Sequence, residues 1–210
     1  CNLIASFVQG NSHTPCSAAY IKRPTFGLKV FLYQITGMDY AEKMIAAAKA
    51  VNGAIDYRVG NILSAPFEDQ EFDNVIFSFN GLMLLESYEE RLSAVKEVCR
   101  LLKDDGKFIF TTPYLDNKVK KSYWSEKAET LGIDTGNMSW EQQLELGDEQ
   151  LEDYGSEFYL HVPFISEVEQ MLEEAGMELL FSARRLDYSG IEKMEDELDD
   201  NYLWVTTCKK

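Results

Sequence analysis

From Leu28 onward the chain switches between two hydrophobic periods, and the switches mark out its elements. Leu28 to Thr36 reads as a strand that ends at Gly37-Met38-Asp39. Ala41 to Val51 then places Met44, Ile45 and Ala48 on one face at helical spacing, and Asn52-Gly53 supplies a helix stop. Ile55 to Val59 is a short strand. Asn74 to Phe79 is a nearly continuous apolar run, the pattern of a strand covered on both faces of a parallel sheet. Tyr88 to Lys103 carries the clearest helical stripe, through Leu92, Val95, Val98, Cys99 and Leu102. Asp104-Asp105-Gly106 ends that helix, and Lys107 to Thr112 is the next strand.

Beyond Pro113 the pattern changes. Residues 114–157 are polar, acidic and aromatic, with weak helical periodicity at Ser122–Leu131 and Trp140–Leu146. Phe158 to Val162 reads as a strand, and Ile165 to Ala175 as an amphipathic helix closed by Gly176. Glu178–Arg184 and Tyr202–Cys208 are two further strands around the acidic loop Ile191–Asn201. This grammar predicts an α/β fold, a Rossmann-like doubly wound, mostly parallel sheet with an antiparallel edge hairpin at the C-terminus. One domain of residues 1–210 is expected, with residues 114–163 inserted as a substrate lid. Residues 1–30 are atypical. Ser12, Thr14, Pro15, Ser17, Pro24 and Gly27 interrupt every period there. If that region is fitted to the fold, Ile4–Val8 should form a central strand.

Composition narrows the partners. The formal charge of −16 over 210 residues opposes phosphate backbones and anionic lipid, so neither nucleic acid nor a membrane is an expected partner. The basic run Lys118-Val-Lys-Lys121 reads as a solvated face. No apolar stretch approaches the ~20 residues of a membrane span. Cys1, Cys16, Cys99 and Cys208 show neither a CxxC nor a pairing pattern. No metal site and no disulfide framework are therefore expected, and a reducing cytoplasm is the simplest compartment.

In open α/β sheets ligands bind beyond the carboxyl ends of the strands. Asp39 stands at one such end, where a carboxylate accepts two hydrogen bonds from a ribose diol. Tyr40 and Met44 are placed to cover a flat base. At the next strand end Asn61 offers an amide to a base edge and Ile62 an apolar surface to the ring; Phe79 and Asn80 end the third strand. Each has a plain alternative: Asp39 as a helix cap, Asn61 as a turn former, Asn80-Gly81 as a simple loop. Three successive strand ends bearing such groups favour a nucleoside site.

Residues 35–112, and again His161 to Gly176, resemble the class I S-adenosylmethionine-dependent methyltransferases. The matching phrases are Ile35-Thr-Gly-Met-Asp-Tyr40, Gly60-Asn61-Ile62, Phe72-Asp-Asn-Val-Ile76 and Leu101-Leu-Lys-Asp-Asp-Gly-Lys-Phe108. The resemblance implies S-adenosylmethionine as cofactor, with its ribose on Asp39, its adenine at Asn61-Ile62 and its methionine part near Phe79. Two positions depart from the family pattern. Asn61 stands where an aspartate is usual. The acidic residue with Gly-x-Gly-x-Gly, expected about twenty residues before Asp39, is absent, and Cys16-Ser-Ala-Ala-Tyr-Ile-Lys-Arg-Pro24 occupies that place. Either the loop is built differently, or cofactor binding has been lost, or residues 1–34 do not represent the natural chain.

Methyl transfer from a sulfonium needs positioning and exclusion of water more than acid-base groups, and no catalytic residue stands out. The acceptor expected is a small molecule, with Tyr114, Trp124, Trp140, Tyr154, Tyr159 and His161 as candidates to line its pocket. The competing reading is a non-catalytic protein of the same fold that acts through interactions. A nicotinamide dehydrogenase would need GxGxxG before the strand-end acid, which the chain does not supply.

Overall fold

The computed structural model describes residues 5–9, 34–77, 79–115, 121–153, 156–188 and 201–209. Leu28 to Tyr33, most of the 1–30 region, the basic run at 118–120, Tyr154 and the loop 191–200 lie outside the described residues. Among the described residues, seven strands form one sheet: β1 (Ala5–Gln9), β2 (Gln34–Asp39), β3 (Asp56–Val59), β4 (Phe72–Phe77), β5 (Leu102–Thr112), β8 (Met177–Arg184) and β9 (Tyr202–Cys208). Their order is β3-β2-β1-β4-β5-β9-β8. A separate hairpin joins β6 (Asp148–Asp153) to β7 (Ser156–His161). The helices are α1 (Glu42–Val51), α2 (Tyr88–Leu101), α3 (Lys121–Leu131), α4 (Trp140–Gly147), α5 (Ile165–Glu174) and the short α6 (Arg185–Tyr188).

The fold is the doubly wound α/β sheet expected. β2 and β3 pair in parallel, as do β4 and β5, while β9 runs antiparallel to both β5 and β8. An interior position between β2 and β4 is held by β1, one residue along from the Ile4–Val8 expectation. Its direction is the surprise, for it pairs antiparallel to both β2 and β4. Ala5 lies opposite Met38 and Gln9 opposite Gln34. β1 therefore ends at the edge of the sheet away from Asp39. A glycine-rich turn directly after it would face the wrong edge.

Three further expectations are corrected. The strand after α2 begins at Leu102 rather than Lys107. Residues 103–106 form an irregularity inside it, where the register against β4 jumps and Asp105 adopts φ 62°. The Asp-Asp-Gly phrase is thus a bulge within β5, with Gly106 too close to the carbonyls of Lys103 and Asp73 to carry a side chain freely. The acidic segment Asp148–Asp153, which has no strand propensity, is a strand because β7 supplies its ladder partners. Cys99 and Cys208, 109 positions apart, are joined, with Cα atoms 5.8 Å apart. Linear spacing carries no sign of that pair, since the end of α2 and the end of β9 meet only in the folded chain.

The core lies between the sheet and its helices. Phe72, Val75 and Phe77 of β4, Phe108 and Phe110 of β5, and Val95, Val98 and Leu101 of α2 are all buried within it. Phe108 and Phe110 stack at 4.6 Å, and Trp204 of β9 stacks on Phe110 while its indole N–H donates to Thr112 Oγ1 at 3.0 Å. Burying an indole with its donor satisfied avoids the penalty of an unmade hydrogen bond.

Candidate functional site

β2 becomes more buried toward its end, from exposed Gln34 to Gly37, Met38 and Asp39. That gradient carries a carboxylate into the protein at the edge of the sheet. Asp39 is 3% exposed, and its Oδ1 accepts the backbone N–H of Ala41 at 2.8 Å. Burial raises its pKa above the ordinary carboxylate value, opposed by the Ala41 N–H. The helix-entry role is thus real, but it occupies one oxygen. Among the described residues the other has no protein donor.

Asp39 opens on a cavity of about 380 Å³ that runs across the ends of β2, β3 and β4. This is within the usual range for a small-molecule site. Of the residues chosen from sequence, Asp39, Tyr40, Asn61 and Ile62 line it together. Tyr40 is 70% exposed, with its ring free to lie on a ligand. Asn61 is exposed, and its Oδ1 accepts from the Leu63 N–H at 3.0 Å, so the turn-forming role is also present. Gly60 has no room for a side chain: a Cβ there would come within 2.7 Å of Met38 Sδ and 2.8 Å of Pro66 Cδ. The loop that follows is held to α2 by Arg100, which donates to the carbonyls of Phe67 and Ala65 at 3.0 and 3.3 Å.

Met44, Phe79 and Asn80 are not among the lining residues. Met44 is half-buried on α1. Phe79 and Asn80 adopt left-handed backbone at φ 57° and 59°, so the chain turns sharply after β4, leaving Phe79 54% exposed and Asn80 donating to Asn201 Oδ1 at 3.0 Å. The wall is completed instead by Gly81, Leu84, Leu85, Glu86 and Glu90. Strand-end reasoning stops short of these. A signal for them exists in Ser87-x-x-Glu90, a capping box in which Ser87 Oγ accepts from the Glu90 N–H and the Glu90 carboxylate from the Ser87 N–H. It starts α2 beside the cavity. Among the described residues the lining side chains include three carboxylates and no basic group.

Of the candidates for an acceptor pocket, Tyr114, Trp124, Trp140, Tyr159 and His161 do not line this cavity. Tyr114 is buried edge-on against Tyr202. Trp124 is buried with Leu115 and Val162, and Trp140 sits edge-on to Tyr88 at 5.2 Å. His161 is fully buried, with Nδ1 2.7 Å from Asp148 Oδ1 and Nε2 2.8 and 2.9 Å from the two oxygens of Glu167. Although burial raises the Asp148 pKa, hydrogen bonds from His161 and Tyr159 hold it below the ordinary value. The Tyr159 phenol is pushed up to about 12 by burial and by its bond to Asp148.

Among the described residues no group of His, Cys, Asp and Glu is arranged to hold a metal ion. No helix among them is long and apolar enough to cross a membrane.

The family model described as a methyltransferase domain matches residues 18–110. Solved structures share the fold. An S-adenosylmethionine-dependent methyltransferase from Methanosarcina mazei aligns over 83% of this chain and 82% of its own, at TM-score 0.62 and 16% identity. The 1,6-didemethyltoxoflavin-N1-methyltransferase of Burkholderia thailandensis, solved with 1,6-didemethyltoxoflavin and S-adenosylhomocysteine, aligns over 83% of this chain and 61% of its own at TM-score 0.52 and 11% identity. The demethylmenaquinone methyltransferase of Staphylococcus epidermidis is 36% identical over 76 residues, which are 35% of this chain and 30% of that protein. The chain thus matches under a third of that relative's length. The protein shares the fold of these methyltransferases, and its residues 18–110 match the methyltransferase-domain model.

Proposed function

We propose that this protein binds S-adenosylmethionine in the cavity beyond β2–β4 and transfers its methyl group to a small organic acceptor. The observation that carries the reading is Asp39: a buried carboxylate at a strand end, lining a cavity of suitable size, with one oxygen that meets no donor among the described residues. That oxygen and its partner would hold the ribose diol, Ile62 and Tyr40 the adenine, and the wall from Gly81 to Glu86 the amino-acid part. Glu86 and Glu90 surround the site with negative charge, which suits a cation. When bound, S-adenosylmethionine supplies an electrophilic methyl on a sulfonium. The chain's own contribution is to fix that group in line with the acceptor and to keep water out. A small acceptor agrees with the strongly acidic chain and with relatives named for demethylmenaquinone and 1,6-didemethyltoxoflavin. The segment 114–163, with α3, α4 and the β6–β7 hairpin, is the proposed lid.

A second reading is favoured by two observations. Among the described residues, β1 runs antiparallel to β2 and β4 and ends away from Asp39, and the sequence carries no Gly-x-Gly-x-Gly before Asp39, as a protein that had lost its cofactor would show. Calorimetry with S-adenosylmethionine and S-adenosylhomocysteine separates the two. Saturable binding of either by the folded protein supports the methyltransferase, whereas folded protein with no heat of binding supports the non-catalytic alternative.

A further inference from the structure

A buried polar network lies outside the cavity and is hydrogen-bonded to its wall by Arg91. Arg91 on α2 is 1% exposed. Its Nη1 donates to the Leu85 carbonyl at 3.0 Å and lies 3.4 Å from Tyr159 Oη. Its Nη2 is 3.5 Å from Glu167 Oε1, on α5. Glu167 in turn holds His161, and His161 and Tyr159, both on β7, share Asp148 Oδ1 of β6. Leu85 lines the cavity, and β7 packs against the turn Gly81–Leu84 beside it. One guanidinium therefore bonds the cavity wall and the hairpin together.

Surface anchoring cannot account for this arrangement. The hairpin already has such a tie on its other side, where Lys127 and Tyr123 of α3 hold Glu149 at 2.6 and 2.8 Å. A buried arginine carries a large desolvation cost, which its partners must offset. Placing it here makes sense where the relation between wall and hairpin must be fixed. The planar fork can meet two acceptors at once, and a lysine ammonium cannot reproduce that geometry.

We propose that Arg91 is a positioning residue, coupling the β6–β7 hairpin to residues 84–86 so that occupation of the cavity and seating of the hairpin favour one another. The ligand side of this inference rests on the proposed S-adenosylmethionine site. Such coupling is reciprocal.

Hydrogen exchange of the ligand-free protein tests the coupling by itself. Tyr159→Phe removes the hydroxyl between hairpin and Arg91 and keeps the ring, and Tyr123→Phe, as a control, removes one hydroxyl tie to α3 and leaves that of Lys127. Amides of residues 84–87 are expected to exchange about two- to thirtyfold faster in Tyr159→Phe, the range for mutations along a coupling network, and at wild-type rates in Tyr123→Phe. Arg91→Lys is expected to reproduce the Tyr159→Phe pattern. Equal rates at 84–87 in the wild type, Tyr159→Phe and Tyr123→Phe overturn the proposal. With S-adenosylmethionine added to the wild type, slower exchange is expected at 157–161 as well as at 84–87. Slowing confined to 84–87 also overturns it. Absence of any binding would instead remove the proposed function and leave the ligand-free comparison to decide.

Discussion

The ribose-binding role proposed for Asp39 sets two opposed demands, and both are measurable. The raised pKa of Asp39 means that the fold prefers it protonated, so its contribution to stability is greatest at low pH and is lost as pH rises through the raised value. Holding a ribose diol requires the carboxylate. Affinity for S-adenosylmethionine is therefore expected to be full at neutral pH and to fall as pH is lowered through the raised pKa, above the ordinary value of 3.8. Asp39→Ala is expected to weaken binding by about 1–3 kcal/mol, the range for a lost hydrogen-bond partner in a buried site. Asp39→Asn keeps an acceptor for the Ala41 N–H and removes the buried charge. Its ligand-free thermal midpoint at pH 7 should be no lower than that of the wild type, while its affinity falls. A lower midpoint would show that Asp39 serves the fold rather than a ligand. Gly147 makes a separate point. A Cβ there would meet the Val162 carbonyl oxygen at 2.5 Å and His161 Cε1 at 2.8 Å. Gly147→Ala is expected to lose about 1–3 kcal/mol in urea unfolding, as overpacked sites do.

At the scale of elements, the helices were the most legible part. α2 begins at the Tyr88 of the sequence reading, and its Ser87-Glu90 capping box sets the start. Ser87→Ala is expected to cost about 1 kcal/mol of stability by chemical denaturation. Because the same box positions the wall beside Glu86, it should also weaken ligand binding. A capping change on α4, Ser139→Ala, should cost similar stability and leave binding unchanged. Strands were legible where their own side chains are apolar, as in the run expected at Asn74–Phe79, although the strand itself spans Phe72–Phe77 and the chain turns at Phe79. β6 was not, because its acidic residues acquire strand geometry only from β7. The direction of β1 was equally hidden, since direction is a property of pairing and not of composition. Of the residues picked by the strand-end rule, Asp39, Tyr40, Asn61 and Ile62 line the cavity. The rule stopped short of Leu84–Glu90, which reach the cavity through a turn and a helix start, and no local pattern reveals that Arg91 joins Leu85 to Tyr159.

Across the whole molecule, the sheet order places β2, β3 and β4 so that their carboxyl ends share one edge, and the cavity forms there. Acid acts on the opposite side of the structure's balance from Asp39. Asp148 has a lowered pKa, so its contribution to stability is present above 3.8 and is lost as pH falls through the lowered value. Its partners His161 and Tyr159 belong to the hairpin, so acid is expected to loosen the hairpin before the aromatic core around Phe108, Phe110 and Trp204. The most direct test of the central claim is a crystal structure of the protein with S-adenosylhomocysteine. The expected result is the ribose diol within hydrogen-bond distance of the Asp39 carboxylate and the adenine against Ile62. Ligand bound elsewhere, with Asp39 engaging only the Ala41 N–H, would contradict it.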